Sequence, residues 1–195
     1  MKYQDRKARF LNTIEEISKN LSKNRETVNF DKINEFIDSI VRTYGNNNIV
    51  FIYGAGRSGF IGRCFAQRLM HLGIKSCFIS DTITYRFHLN DLLVVISGSG
   101  ETTSSSALVK KAKEIGGKII LLTGNPYSTI GKYSNLIIQI EGKNKLKAVS
   151  DDTLAPYTSL FDIAVLTVLD AIGGVLMKIL GISESDIDKR HASLE

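Results

Sequence analysis

The residues of this sequence best equipped for chemistry are glycines and hydroxyls gathered at the ends of two apolar runs. Ile49-Val50-Phe51-Ile52-Tyr53 breaks into Gly54-Ala55-Gly56-Arg57-Ser58-Gly59, and Leu92-Leu93-Val94-Val95-Ile96 breaks into Ser97-Gly98-Ser99-Gly100-Glu101-Thr102. Glycine lets the backbone approach a ligand, a helix start offers free N–H groups, and hydroxyls add further donors. Ser97, Ser99 and Thr102 stand at a strand-to-helix junction. A phosphate monoester, rich in acceptor oxygens, fits such a nest. Ser104, Ser105 and Ser106 continue into the helix, where they either extend the site or serve the helix start. Glu101 would repel a phosphate and is expected to face solvent or the helix N-terminus. The chemistry indicated is capture of a phosphorylated small molecule.

The elements that must deliver these loops follow from hydrophobic spacing. Helices are expected over 5–24 and 31–44, the second with Ile33, Phe36, Ile37, Ile40 and Val41 on one face and Asn29 or Asp31 as its cap. A strand over 49–53 leads into a helix over 59–72, with Ile61, Phe65, Leu69 and Leu72 on one side. A strand over 75–79, a loop over 80–90 and a strand over 92–96 come next. The helix over 103–115 stops at Gly116-Gly117. A strand over 118–122, a short helix near 127–132 and a strand over 135–140 complete the alternation. The loop 141–158 then enters a long apolar helix over 159–180, and a polar tail runs to Glu195.

Strands alternating with helices predict a parallel sheet covered on both faces, an α/β architecture. Continuous apolar runs such as Ile119-Ile120-Leu121-Leu122 suit strands buried on both sides. Ligands of such sheets bind beyond the carboxyl ends of the strands, where the winding reverses. Gly54, Gly56 and Gly59 also satisfy the dinucleotide-binding G-x-G-x-x-G spacing, with Asp81 as a ribose-binding acid. Against that reading, Asp81 lies farther on than the usual twenty or so residues. A second hydroxyl-rich loop is also more than a dinucleotide requires. Plain tight turns are the remaining alternative.

The 195 residues suffice for one ordinary domain. Hydrophobic residues make up 43% and charged residues 23%, close to the globular norm. The net charge of +5 comes from scattered Lys and Arg rather than a basic stripe with interleaved aromatics, so nucleic acid is not the expected partner. An anionic small substrate explains the balance as well. Cys64 and Cys77 have no ligand-like spacing and read as buried reduced thiols of a cytoplasmic protein. The N-terminus, Met1-Lys2-Tyr3-Gln4-Asp5-Arg6, lacks an apolar signal core. Leu160 to Leu180 is apolar enough to raise a membrane question, but Asp162, Asp170 and Lys178 interrupt it. A helix buried on most sides is expected instead, and no membrane partner.

Gly54 to Gly59, the run Arg68-Leu69-Met70-His71-Leu72-Gly73 and Ser97 to Thr102 together resemble the sugar isomerase (SIS) domain. The ending Lys189-Arg190-His191-Ala192-Ser193-Leu194-Glu195 is similar to the Arg-His-Ala-Asn-Leu-Glu close of the 6-phospho-3-hexuloisomerase family. The resemblance covers nearly the whole chain. It implies a three-layer αβα domain with a five-stranded, doubly wound, flavodoxin-like parallel sheet over 1–195, with leading helices to 45, sheet core 46–158, and C-terminal helix and tail 159–195. It implies interconversion of D-arabino-hex-3-ulose 6-phosphate and D-fructose 6-phosphate through a cis-enediol(ate), without metal, nucleotide or other cofactor. It also implies a homotetramer with sites near subunit contacts, serving formaldehyde fixation or ribulose 5-phosphate supply.

Carried over by position, Gly56, Ser58, Ser97, Ser99 and Thr102 hold the phosphate, and Arg57 faces the substrate oxygens or phosphate. The family's glutamate, opening the last long helix, is replaced here by Asp162 in Pro156-Tyr157-Thr158-Ser159-Leu160-Phe161-Asp162. The resemblance makes Asp162 the proton-transfer base, with a side chain one methylene shorter; stabilising a helix N-terminus is its other role. It makes His191 the acid partner, reaching a neighbouring subunit's site from the terminal segment. His71, at a helix end, and His88 have no such context. Where the family has Gly-Glu-Thr-Thr-Thr-Pro, this chain has Ser80-Asp81-Thr82-Ile83-Thr84-Tyr85, keeping Thr82 and Thr84 as substrate contacts and losing the proline. Other readings that keep the serines are an aldose-ketose phosphate isomerase and a non-catalytic sugar-phosphate sensor.

Overall fold

A computed structural model describes residues 1–143 and 153–193. The middle of the expected loop 141–158 and the last two residues of the Lys189–Glu195 ending lie outside the described residues.

Two helices lead, α1 over Tyr3–Thr27 and α2 over Phe30–Gly45. The second is capped as the sequence predicts, Asn29 accepting a hydrogen bond from the Lys32 N–H at 3.1 Å. Strand β1 (Val50–Gly54), helix α3 (Arg57–His71) and strand β2 (Ser76–Phe78) follow. Then come β3 (Leu92–Ile96), α4 (Thr103–Ile115), β4 (Lys118–Thr123) and β5 (Leu136–Gln139). The long helix α5 spans Ser159–Leu180, and a short α6 spans Glu184–Asp188.

All five strands pair in parallel in the order β2-β1-β3-β4-β5. This is the flavodoxin-like doubly wound order, whose direction of winding reverses between β1 and β3. The period of two along each strand sends Val50 and Ile52, with Leu92, Val94 and Ile96, to one face. That face is covered by α2, α3 and α5 through Phe36, Phe65, Leu69, Val165 and Leu176. Phe51, Leu93 and Val95 point the other way, against Val109 and Ala112 of α4. Helices thus cover both faces, as the apolar runs require.

The structure differs from the sequence reading in three local places, the first being Cys64, which is exposed on α3 while Cys77 is buried as expected. The helix expected near 127–132 is only a 3-10 turn over Gly131–Tyr133. Ser128, buried against Gly100, and its hydroxyl bond to the Gly131 N–H hold the preceding residues in a non-helical loop. The polar tail is partly helical, because Ser183 and Asp186 cap α6 reciprocally.

Helix α5 is long and apolar enough to cross a membrane by length and composition alone. Here it packs on α3, α1 and α2, and Asp170 pairs with Arg68 of α3 at 3.1 Å. Helix α1 is tied to the segment after β5 by Asn24, which is buried. Its side-chain amide donates to the Glu141 carbonyl at 2.7 Å and its carbonyl accepts from the Glu141 N–H at 2.8 Å.

Candidate active site

The two loops singled out in the sequence lie side by side at the carboxyl ends of β1 and β3, which pair from Val50–Leu92 to Gly54–Ile96. The first turn is possible only with glycine. Gly56 has φ 57° and ψ −129°, a conformation that a Cβ strains. Gly54 and Gly59 approach so closely that a Cβ on Gly59 would stand 2.7 Å from the Gly54 carbonyl oxygen. This tight crossing starts α3 directly beneath the loop, so its free N–H groups face the same space as those of α4.

That space is a cavity of about 340 Å³ walled by Gly56, Arg57, Ser58, Ser97, Ser99 and Thr102, with Tyr157, Thr158 and Asp162 opposite. The structure therefore brings together seven of the ten expected site residues, all but His191, Thr82 and Thr84. Ser97 and Ser99 are buried, and each hydroxyl accepts a backbone N–H of its own loop at 3.2 Å, from Gly100 and Glu101. A hydroxyl that accepts from the backbone keeps its own proton for another acceptor. Thr102 sits at the start of α4 with no side-chain cap bond, and its hydroxyl lies 3.5 Å from that of Ser97. Three hydroxyls and two helix starts converge there on one wall.

The loop after β4 braces this wall. The Asn125 side chain donates to the Ser99 carbonyl at 3.3 Å. Glu101, expected at solvent or at its own helix start, accepts from the Thr129 N–H at 2.8 Å, and the Thr129 hydroxyl first, then this N–H, hold its carboxyl below the usual range. Ser104, Ser105 and Ser106 do not reach the cavity lining.

Asp162 forms the opposite wall. It lies in the first turn of α5 and is 2% exposed. Its Oδ2 accepts from Arg57 Nε at 2.9 Å and from the Thr158 hydroxyl at 2.8 Å, while Oδ1 lies 3.4 Å from the Ser58 hydroxyl. Ser58, expected on the phosphate, is thus aimed at the carboxylate as well. Thr158 and Tyr157 escaped the sequence reading. Thr158 is four residues before Asp162, a spacing that makes side chains neighbours at a helix start, and this was the available signal. Tyr157, at the rim, has φ 43°, unusual for a bulky residue and without a trace in the sequence.

His191 is not at this cavity in its own chain. Its ring stacks on that of His71 at 4.2 Å, at the far end of α3 from Arg57. The neighbouring Arg190 donates to the His71 carbonyl at 2.8 Å, closing the end of that helix. At about 1.5 Å per residue, α3 separates the two ends by roughly 20 Å. Thr82 and Thr84 also lie off the cavity lining, and Thr84 instead stands 4.0 Å from the buried Cys77 sulfur. Burial pushes the Cys77 thiol up. Arg63 makes two bonds to Asp81 Oδ1, at 2.7 and 3.0 Å, and lies over the Phe78 ring. Asp81 is thereby engaged at the sheet edge, as the dinucleotide reading would not have it.

Comparison with known proteins identifies the family. Residues 44–166 match the SIS domain family. A 3-hexulose-6-phosphate isomerase of Methanocaldococcus jannaschii is 39% identical over 164 residues, covering 84% of this chain and 84% of that one. The 3-hexulose-6-phosphate isomerase of Bacillus subtilis is 37% identical over 163 residues, covering 83% and 88%. A crystal structure from Methanococcus jannaschii, for which a molecular function of 3-hexulose-6-phosphate isomerase was inferred, superposes with a TM-score of 0.80 at 37% identity, covering 93% of this chain and 98% of the other. The chain belongs to the SIS domain family and groups with its isomerases.

Proposed function

We propose that this enzyme interconverts D-arabino-hex-3-ulose 6-phosphate and D-fructose 6-phosphate through a cis-enediol(ate). The observation that carries the reading is a buried carboxylate, Asp162, facing a wall of hydroxyls across one small cavity. Phosphate held by Ser97, Ser99 and Thr102, together with the N–H groups at Gly56 and Ser58, leaves the sugar carbons toward Asp162. The carboxylate takes the proton from C2 of the hexulose and returns it to C3, so that the carbonyl moves from C3 to C2. Charge developing on the two oxygens is met by Arg57, whose guanidinium stands at the cavity mouth, and by Ser58. No cofactor enters this scheme.

The acid that protonates the oxygens, in this reading, is His191 of a second copy, since the chain's own His191 is at the wrong end of α3. Apolar residues left outward support an assembly: Phe10, Leu11 and Ile14 on α1, Phe30 on α2, and Val175 and Ile179 on α5. Between α1, α2 and α5 these helices also leave an apolar groove of about 500 Å³. We read the assembly as a homotetramer, the chain acting as one domain within it, in the cytoplasm, with sugar phosphate as its ligand. The test is a coupled assay for fructose 6-phosphate formed from enzymatically made hexulose 6-phosphate. Turnover is expected, and binding without turnover on any ketose phosphate would make the protein a sensor.

A further inference from the structure

Thr158 occupies a position where threonine normally serves the backbone. It is the N-cap of α5, and an N-cap hydroxyl ordinarily accepts a hydrogen bond from the N–H two or three residues on. Thr158 makes no such bond. Its hydroxyl instead donates to Asp162 Oδ2 at 2.8 Å. The cap has been given up for the carboxylate.

The two oxygens of Asp162 are consequently unequal. Oδ2 is held twice, by Thr158 and by Arg57 Nε at 2.9 Å. Oδ1 has the Ser58 hydroxyl at 3.4 Å, longer than an ordinary O–H···O bond. A carboxylate turns easily about its last torsion, so its direction depends on what grips it. The two grips also differ. The Arg57 side chain is 64% exposed, and a substrate oxygen can draw it away. Thr158 is half-buried on the same helix as the carboxylate and has nowhere comparable to go.

We propose that Thr158 is a positioning residue: by holding Oδ2 once Arg57 has turned to the substrate, it presents Oδ1 as the oxygen that takes and returns the proton. This rests on the isomerase reading above. It places the reaction on a single atom, and it gives Arg57 freedom to leave the carboxylate without releasing it.

The test uses Thr158→Val, which keeps the shape and loses the donor, and Thr158→Ser, which keeps the donor. Turnover of fructose 6-phosphate and exchange of solvent deuterium into it are measured alongside thermal melting. Thr158→Val is expected to lower kcat and exchange together by roughly ten- to a hundredfold, the scale of a small misplacement of a reacting group. KM and melting temperature should hardly move, and Thr158→Ser should restore most of the rate. If Thr158→Val turns over like an active wild type, or if Thr158→Ser is as slow as Thr158→Val, the positioning role is wrong. A rise in KM with unchanged kcat would likewise overturn it, since the hydroxyl would then be touching substrate. A wild-type protein that converts no ketose phosphate would sink the isomerase reading itself, and this role with it.

Discussion

Arg57 Nε donates to Asp162 Oδ2 at 2.9 Å, joining the start of one helix to the start of another 105 residues later. The two partners differ in burial: the aspartate side chain is 3% exposed and the arginine 64%. The carboxylate is fixed and its counter-ion is free to move, which suits a base that must meet substrate beside a cation that follows the developing charge. In their ground state the two groups satisfy each other, so neither is left as an unpaired charge before substrate arrives.

Removing the carboxylate's charge should therefore stop chemistry rather than binding. Asp162→Asn is nearly isosteric, and loss of a positioned general base costs on the order of 10²–10⁴ in rate. The loss should appear in kcat, with fructose 6-phosphate affinity little changed by calorimetry. Asp162→Glu restores the side chain that the family resemblance places here and keeps a carboxylate, so it should retain turnover that Asp162→Asn loses. Wild-type rates of turnover and deuterium exchange in Asp162→Asn would put the base elsewhere.

The hydroxyl wall should behave in the opposite way. Ser97→Ala with Thr102→Val removes the two donors proposed for the phosphate, each worth roughly 1.5–3 kcal/mol. Fructose 6-phosphate affinity should fall accordingly in calorimetry. Unaltered affinity would remove both residues from the phosphate site.

The outward apolar residues of α1 and α5 predict an assembly. Light scattering should give a mass several times the 21.6 kDa chain at working concentration. Phe10→Asp, which puts a charge on the exposed face of α1, should lower that mass and, if His191 acts across the contact, turnover with it. A chain mass that persists at every concentration would refute both ideas.

The stacked histidines predict a pH dependence of stability. Burial first, then the neighbouring His191 and Arg68, hold the His71 imidazole below its ordinary value of 6.5. The folded chain thus resists a proton that the unfolded chain accepts. Stability is fully present above that pH and declines as pH falls through it. Thermal melting between about pH 8 and pH 5.5 should show the decline, and His71→Phe, which keeps a stacked ring without a titrating group, should flatten it. Identical profiles for the two proteins would show that the pair does not sense protons.

Much of the fold was legible because the short apolar runs between glycine-rich turns had one physical reading. Ile119-Ile120-Leu121-Leu122 is too continuous for a half-exposed strand, and all four residues are buried. The cavity was legible where local chemistry sufficed, as in Gly56 and the Ser97 to Thr102 loop. What lay hidden depended on tertiary placement. His191 carries the same residue type whether it faces its own cavity, a neighbour's, or the end of α3. Thr158 looks like an ordinary helix cap until the Asp162 oxygen is seen above it. The tail helix is a different matter, for Ser183 and Asp186 were an available capping signal.

The grip of Asn24 on Glu141 has a consequence for behaviour in crowded solution. Strand β5 is the last in the sheet, and the Ile140 N–H bonds inward to Thr123, so the Glu141 backbone groups point outward. Unpaired groups on such a margin are a template for strands of other molecules. The side-chain amide of Asn24 imitates a neighbouring peptide, donating to one of those groups and accepting from the other. It closes this end of the margin without adding a strand. Asn24→Ala should leave the Glu141 N–H open and its carbonyl with only the Asn20 side-chain amide at 3.5 Å, at a cost of about 0.5–1.5 kcal/mol for each hydrogen bond lost. Turbidity on heating at high protein concentration should then appear earlier than in the parent chain.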